Sequence, residues 1–219
     1  MAHEIRNPLG ALEGAVQILQ RPELQSETRQ EFAEMAGKEV GRLKSLLTEF
    51  LDFARPQPPQ RILTEPAMLL NSIASLAAET AKLAQVEIRV EGLETKPIAI
   101  DSEQIRQVLL NLVLNAVQAM PDGGRILLRS RQENESILLE IVDQGPGIAP
   151  ENIERIFDPF FTTRPAGTGL GLSIAHQIVH AHGGELSVCN NPDRGATFTV
   201  TLPLDTALPD ASPNVKVFE

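Results

Sequence analysis

The chain has 219 residues, 42% of them hydrophobic, which is enough for one large domain or for a helical element beside a compact α/β domain. Its formal net charge of −10, with no basic run or stripe, argues against nucleic acid as the main partner. No apolar run approaches the roughly 20 residues of a membrane helix, no signal peptide is evident, and the lone Cys189 rules out an internal disulfide, which fits a reducing, cytoplasmic setting.

From Met1 to Gln20 the apolar residues Ile5, Leu9, Leu12, Val16 and Leu19 recur at spacings of 4, 3, 4 and 3, the seam of an amphipathic helix. Arg21-Pro22 stops it, and Ser26 is the expected cap of a second helix. That helix carries Phe32, Met35 or Ala36, Val40, Leu43, Leu47, Phe50 and Ala54 on one face. Two such helices joined by a short turn form a hairpin, and a seam this long predicts pairing with a second copy as a dimeric four-helix bundle. Arg55-Pro56-Gln57-Pro58-Pro59-Gln60 follows as a stiff, non-helical linker.

Residues 61–204 read as α/β. Ile62-Leu63 is a short strand, and Pro66 starts a helix running to about Ala84. Strands are expected at Val86–Val90 and Ile98–Ile100, and a long helix at Ser102–Met120, ended by Pro121-Asp122-Gly123-Gly124. Arg125–Arg131 and Ser136–Val142 look like a hairpin, Gly171–His182 like a helix closed by Gly183-Gly184, and Leu186–Cys189 with Ala196–Leu202 like a final strand pair. The expected division is 1–55 for the helical hairpin, 56–60 for the linker, 61–204 for the α/β domain and 205–219 for a loose tail.

Two groups of residues carry chemistry. The first is His3-Glu4-Ile5-Arg6-Asn7-Pro8. A neutral imidazole nitrogen attacks a phosphoryl group if the other nitrogen keeps its proton. Glu4 can accept a hydrogen bond from that N–H, and Asn7, one helical turn beyond His3, can orient a phosphate or a water. Pro8 removes a helical hydrogen bond, so a bend is expected beside it. A histidine near a chain end is by itself an ordinary exposed side chain.

The second group is spread over the α/β part. Asn111 and Asn115 lie one helical turn apart, and amide oxygens suit a hard cation such as magnesium. Without other signals they would read as satisfied core groups. Asp143 ends an apolar strand, where a carboxylate needs a donor; the exocyclic amine of adenine is one, whereas guanine presents an oxygen there. Gly145 and Gly147 allow close approach of the backbone to a ring. Gly167-Thr168-Gly169-Leu170-Gly171 precedes a helix, so free N–H groups and the positive helix end converge on one point, a setting for phosphate. It is neither a Walker loop nor a dinucleotide fingerprint. Phe157-Asp158-Pro159-Phe160-Phe161-Thr162-Thr163-Arg164 lies between the two glycine clusters.

In this order the motifs resemble the H, N, G1, F and G2 boxes and the closing glycine strand of the sensor histidine kinases of two-component signalling, over nearly the whole chain. The resemblance implies a Bergerat-type α/β sandwich for 61–204, a mixed sheet with helices on one face, that binds ATP and Mg2+. It implies that His3 takes the γ-phosphoryl group, that Glu4 acts as base, and that Asn7 supports phosphatase activity. It ranks Asn115 above Asn111 as metal ligand, makes Asp143 the adenine selector with Thr197 nearby, and lets Arg164 reach the γ-phosphate from an ATP lid. The implied partners are a second copy of the chain and the receiver domain of a response regulator. Two departures stand out: Gln118 where the family often has a lysine, and only Met1-Ala2 before the histidine. The second suggests a piece of a longer protein lacking its sensor region and weakly active alone, with membrane contact only through that missing part. The rival readings are a clamp related to the gyrase, chaperone and mismatch-repair ATPases, and a dimer scaffold that binds nucleotide without phosphotransfer.

Overall fold

A computed structural model of the chain describes residues 2–54, 57–92, 95–164 and 167–204, with backbone alone at 2–6, 45, 49, 52 and 92. The tail expected from Asp205, residues Arg55-Pro56 of the linker, and the side chains of His3 and Glu4 therefore lie outside the described residues. The elements are α1 (Ala2–Leu19), α2 (Ser26–Ala54), β1 (Ile62–Thr64), α3 (Pro66–Leu83), β2 (Val86–Gly92), β3 (Ile98–Ile100), α4 (Ser102–Gln118), β4 (Gly124–Glu133), β5 (Ser136–Asp143), α5 (Pro150–Ile153), α6 (Gly171–Ala181), β6 (Glu185–Asn190) and β7 (Ala196–Pro203).

Helices α1 and α2 form the expected hairpin, and α1 runs on through Pro8. The last carbonyls of a helix lack internal partners, and α1 has no basic residue in its final turn. Arg29 of α2 fills that role, its guanidinium donating to the carbonyls of Leu19 at 3.2 Å and Arg21 at 3.4 Å. Within one chain the hairpin covers only part of its seam. Ala15 is buried, whereas Leu9, Val16, Met35, Val40, Leu47 and Leu51 are each more than 40% exposed.

The α/β part is built on a five-stranded mixed sheet of order β2-β4-β5-β7-β6, in which β2 and β4 are parallel and the other neighbours antiparallel. Alternation sorts its two faces. Ile126, Leu128, Ile137, Leu139, Ile141, Val200 and Leu202 point under α3, α4 and α6 and form the core. Arg129 and Arg131 point the other way, onto Glu140, whose carboxylate is 4% exposed and lies 2.6 Å from Arg129 Nε and 3.3 Å from Arg131 Nη2. This is the one-sided sandwich that was expected. Strands β1 and β3 do not join it; they pair with each other as a separate two-stranded sheet. The short α5 was not foreseen, because four residues carry no periodicity to read.

One cluster ties linker, α4 and α6 together. Asp101 caps α4, its Oδ1 accepting from the N–H groups of Glu103 and Gln104 at 3.1 Å. Its Oδ2 accepts from the N–H of Gln60 at 2.9 Å, and Gln104 Nε2 donates to the carbonyl of Gln57 at 3.1 Å, so the linker is docked on α4 from Gln57 onward. The N–H of Asp101 donates to His182 Nε2 at 3.0 Å, and His182 Nδ1 donates to the carbonyl of Ile178 at 2.8 Å. The ring is 2% exposed and must be neutral, with its proton on Nδ1.

Burial pushes the His182 imidazole below its ordinary value of 6.5, aided by the charge of Arg61 and opposed by the Ile178 carbonyl and Asp101. The unfolded chain takes up this proton near pH 6.5 and the folded chain only lower. The stability it contributes is therefore complete above that pH and is lost as pH falls toward the folded value. Replacing His182 with Phe should cost about 2 kcal/mol at pH 7.5, by leaving the part-buried N–H of Asp101 unpaired and removing the side-chain bond to the Ile178 carbonyl. Urea unfolding of the variant between pH 8 and 5 should show a flatter pH dependence than that of the parent; parallel curves would contradict this account.

Candidate functional site

The C-terminal end of β5, the polar side of α4, the loop after Asp143, residues Phe161–Arg164 and Gly167–Gly169, and the start of α6 line a cavity of about 1080 Å³. Asp143 lies at its inner end, 5% exposed. Its Oδ1 accepts from the N–H of Gly145 at 2.8 Å and of Ala196 at 3.2 Å. Its Oδ2 has no partner among the described residues and is left for whatever enters. Burial raises the carboxyl above its ordinary value, and the two amides oppose that shift. A donor reaching Oδ2 would relieve it.

The structure brings most of the sequence-predicted residues to this cavity. Asn111, Asn115, Asp143, Gly147 and Arg164 line it, as do Gly167, Thr168, Gly169 and Gly171. Gly145 packs behind Asp143 against Ala119, where a Cβ would lie 3.0 Å from Asp143 Oδ1. Two residues are placed otherwise. Thr197 pairs with Val142 and lies on the opposite face of the sheet from Asp143, its hydroxyl donating to Asn191 Oδ1 at 2.6 Å. The period of two hands the place beside Asp143 to Ala196, through its backbone N–H. Leu170 turns its side chain into the core, 2% exposed, and contributes only backbone to the loop. Asn7 is exposed on α1, and no described contact joins it to the cavity.

Asn115 Nδ2 donates to Asn111 Oδ1 at 3.1 Å, which turns Asn115 Oδ1 outward. That oxygen and the Asn115 carbonyl receive Arg164 Nη1 and Nη2 at 3.2 and 3.0 Å, and Gln118 Oε1 also accepts from Arg164 Nη1. Burial lowers the Arg164 pKa from its usual value. The start of α6 has no side-chain cap, so its first amides are available.

The lid that carries Arg164 is pinned at its base. Phe160 adopts a left-handed φ of 67°, and its N–H donates to the carbonyl of Gly169 at 2.9 Å. A Cβ on Gly169, itself at φ 66°, would lie 2.4 Å from the Phe160 carbonyl carbon. Phe157 and Phe161 pack on the core as expected, and Phe157 meets His176 at 5.4 Å between ring centroids. Phe160 instead faces α2, edge-on to Phe53 at 6.4 Å.

The β6–β7 turn was not recognised from the sequence as part of the site. Asn190 clamps the backbone of Ile148, accepting from its N–H at 2.8 Å and donating to its carbonyl at 2.7 Å. Asn191 Nδ2 donates to the Asp143 carbonyl at 3.2 Å, and Arg194 Nε to the Gly145 carbonyl at 3.2 Å. The signal was the run Asn190-Asn191-Pro192-Asp193-Arg194-Gly195, turn chemistry ahead of a closing strand.

Two family models match the chain. One is the histidine kinase-, DNA gyrase B- and HSP90-like ATPase, over residues 100–206, and the other is the His Kinase A (phospho-acceptor) domain, over residues 1–59. Among curated relatives, the signal transduction histidine-protein kinase AtoS of Escherichia coli (strain K12) is 38% identical over 94% of this chain and 34% of its own length. The sensor histidine kinase ZraS of the same strain is 35% identical over 96% of this chain and 45% of its own. The chain thus spans less than half the length of these relatives. Among solved structures, histidine kinase ThkA in complex with response regulator protein TrrA superposes with a TM-score of 0.79 at 29% identity, covering 93% of this chain and 60% of that one. Full-length ShkA in complex with AMPPNP gives 0.75 at 30% identity, covering 94% and 45%. The chain belongs to the histidine kinase family and comprises its phospho-acceptor hairpin and ATPase-type domain.

Between the two matched ranges lie β1, α3 and β2, yet β2 extends the sheet through β4 and α3 packs on the core. On the other side of the sheet's centre, Gly195 sets how closely β7 approaches β5. At φ 89° it leaves so little room that a Cβ would lie 2.0 Å from the Asp143 carbonyl oxygen. Gly195→Ala should therefore cost more than about 2 kcal/mol in urea unfolding. Gly183→Ala has a similar φ of 74° but only Pro203 Cγ at 3.9 Å, and should cost about 1 kcal/mol. Equal losses at the two positions would show that φ alone, and not the approach to Asp143, matters.

Proposed function

We propose that this chain is the cytoplasmic kinase core of a two-component sensor. It binds ATP with Mg2+, moves the γ-phosphoryl group to His3, and passes it to an aspartate of a response regulator. The observation that carries the reading is the free Oδ2 of Asp143 at the inner end of a cavity whose opposite wall holds the uncapped start of α6 and the Arg164 guanidinium. The adenine amine donates to Oδ2. The polyphosphate meets the α6 amides and the loop Gly167–Gly171, and Arg164 turns from Asn115 to the γ-phosphate.

A magnesium fits the donor set. The described residues hold no group of three acidic, histidine or cysteine ligands, so the ion would take Asn115 Oδ1 and the nucleotide's own phosphate oxygens. A guanidinium already occupies the place a cation favours there. When bound, the ion would offset charge on the phosphates during an in-line displacement.

At His3 one ring nitrogen attacks phosphorus through its lone pair, the bond from phosphorus to the bridging oxygen breaks, and ADP leaves. Glu4 holds the remaining N–H and takes up the developing positive charge. Asn7, one turn further along α1, orients the water that removes the phosphoryl group in the phosphatase reaction. The exposed side chains Leu9, Val16, Met35, Val40, Leu47 and Leu51 support a homodimer through the hairpin.

Asp143→Asn should weaken ATP binding by roughly tenfold or more in calorimetry, since it removes a charged acceptor and puts a donor against a donor. Unchanged affinity would remove adenine from this pocket. His3→Gln in the full-length parent should abolish labelling from γ-radiolabelled ATP while ATP binding persists. Acid-labile label retained by that variant would contradict the role of His3.

A further inference from the structure

Arg164 does not stand free in the cavity. Its guanidinium is held by the side-chain oxygen and carbonyl of Asn115 and by Gln118 Oε1. The bond from Asn115 Nδ2 to Asn111 Oδ1 fixes which way the Asn115 amide faces, so Oδ1 is the atom offered to the cavity. That oxygen is also the only one this helix presents to a metal in the proposed reading. A guanidinium and a dication cannot both sit on one amide oxygen, because like charges at contact distance repel. Gln118 is exposed at the end of α4, and its side chain makes no other bond among the described residues. Its amide oxygen serves Arg164 alone.

We infer that Gln118 is a positioning residue for the lid: it holds Arg164 on the Asn115 oxygen, so that the lid cation and the nucleotide's metal compete for one ligand. The inference rests on the nucleotide reading above and adds a property to it. Nucleotide carrying a metal has to displace Arg164 from Asn115, whereas metal-free nucleotide leaves Arg164 where it is. Gln118 therefore weakens the binding of the metal complex and holds the empty lid closed on α4. A lysine at the same position would repel Arg164 and could not do this.

The test is calorimetry of ADP, which lacks the γ-phosphate that Arg164 would otherwise meet, once with Mg2+ and once with EDTA. The whole chain is compared with its Gln118→Leu variant, whose substitution falls on an exposed site, and with Arg164→Gln. Both substitutions should tighten Mg·ADP by roughly three- to tenfold, the weight of about one hydrogen bond to a charged group. In the Gln118→Leu variant, affinity for metal-free ADP should stay within about twofold. Amide exchange at Gly167–Gly169 in the nucleotide-free Gln118→Leu variant should be faster, with no change in the middle of α4. Equal shifts with and without metal, or a weaker Mg·ADP complex, would overturn the inference while leaving the nucleotide reading intact. Absence of ADP and ATP uptake by the unsubstituted chain would overturn both.

Discussion

The site depends on how closely the start of β7 approaches the end of β5. Gly195 brings its backbone against the Asp143 carbonyl at a distance that no side chain tolerates. The next residue, Ala196, then donates its N–H to Asp143 Oδ1, and Gly145 donates a second from the other side. Two amides on one oxygen leave the other oxygen directed into the cavity. A buried carboxylate is costly, and here half of its requirement is met by the fold and half is left for a ligand. The Asn190, Asn191 and Arg194 contacts serve the same end, since they hold the two loops whose amides do the orienting.

Helix α4 links that pocket to the rest of the chain. Ile105, Val108, Leu109, Leu112, Val113, Ala116 and Val117 are buried against sheet and neighbouring helices. The opposite stripe holds Asn111, Asn115 and Gln118, which face the cavity and the lid. Its first turn is capped by Asp101, the residue that also receives the linker and meets His182. A pull on the linker at Gln60 is therefore applied to the cap of the helix that carries the proposed metal ligand, with no intervening loop to absorb it.

The elements were legible where periodicity was long. The hairpin, α3, α4, α6 and the β4–β5 and β6–β7 pairs appear within a few residues of their expected bounds, because each buries a regular stripe. The order of the glycine and asparagine motifs located the cavity. Strand neighbours were not legible: nothing local says that β7 lies between β5 and β6, or that β1 and β3 stay apart from the main sheet. Those placements are settled by long-range packing. Thr197 was misplaced by a single residue, which in a strand is the whole difference between two faces. Gln118 read as a missing lysine, because what it does depends on a lid residue 46 positions away that no spacing rule connects to it.

The lid is held at two places, Phe160 and Arg164. Phe160 is held in a left-handed conformation that a bulky residue adopts at a cost, and it keeps it because Gly169 supplies both an acceptor and the absence of a Cβ. Opening the lid at that point would break the bond while releasing the strain. The fixed base is also the part that touches α2, through Phe160 on Phe53. A rearrangement that separates the α/β domain from the hairpin must therefore part Phe160 from Phe53 as well as α2 from α6. Four residues on, Arg164 is held to Asn115 and Gln118 by its guanidinium, on the wall of the cavity. The contact with the hairpin and the contact with the cavity wall are thus made by two residues of one segment, Phe160 and Arg164, four positions apart.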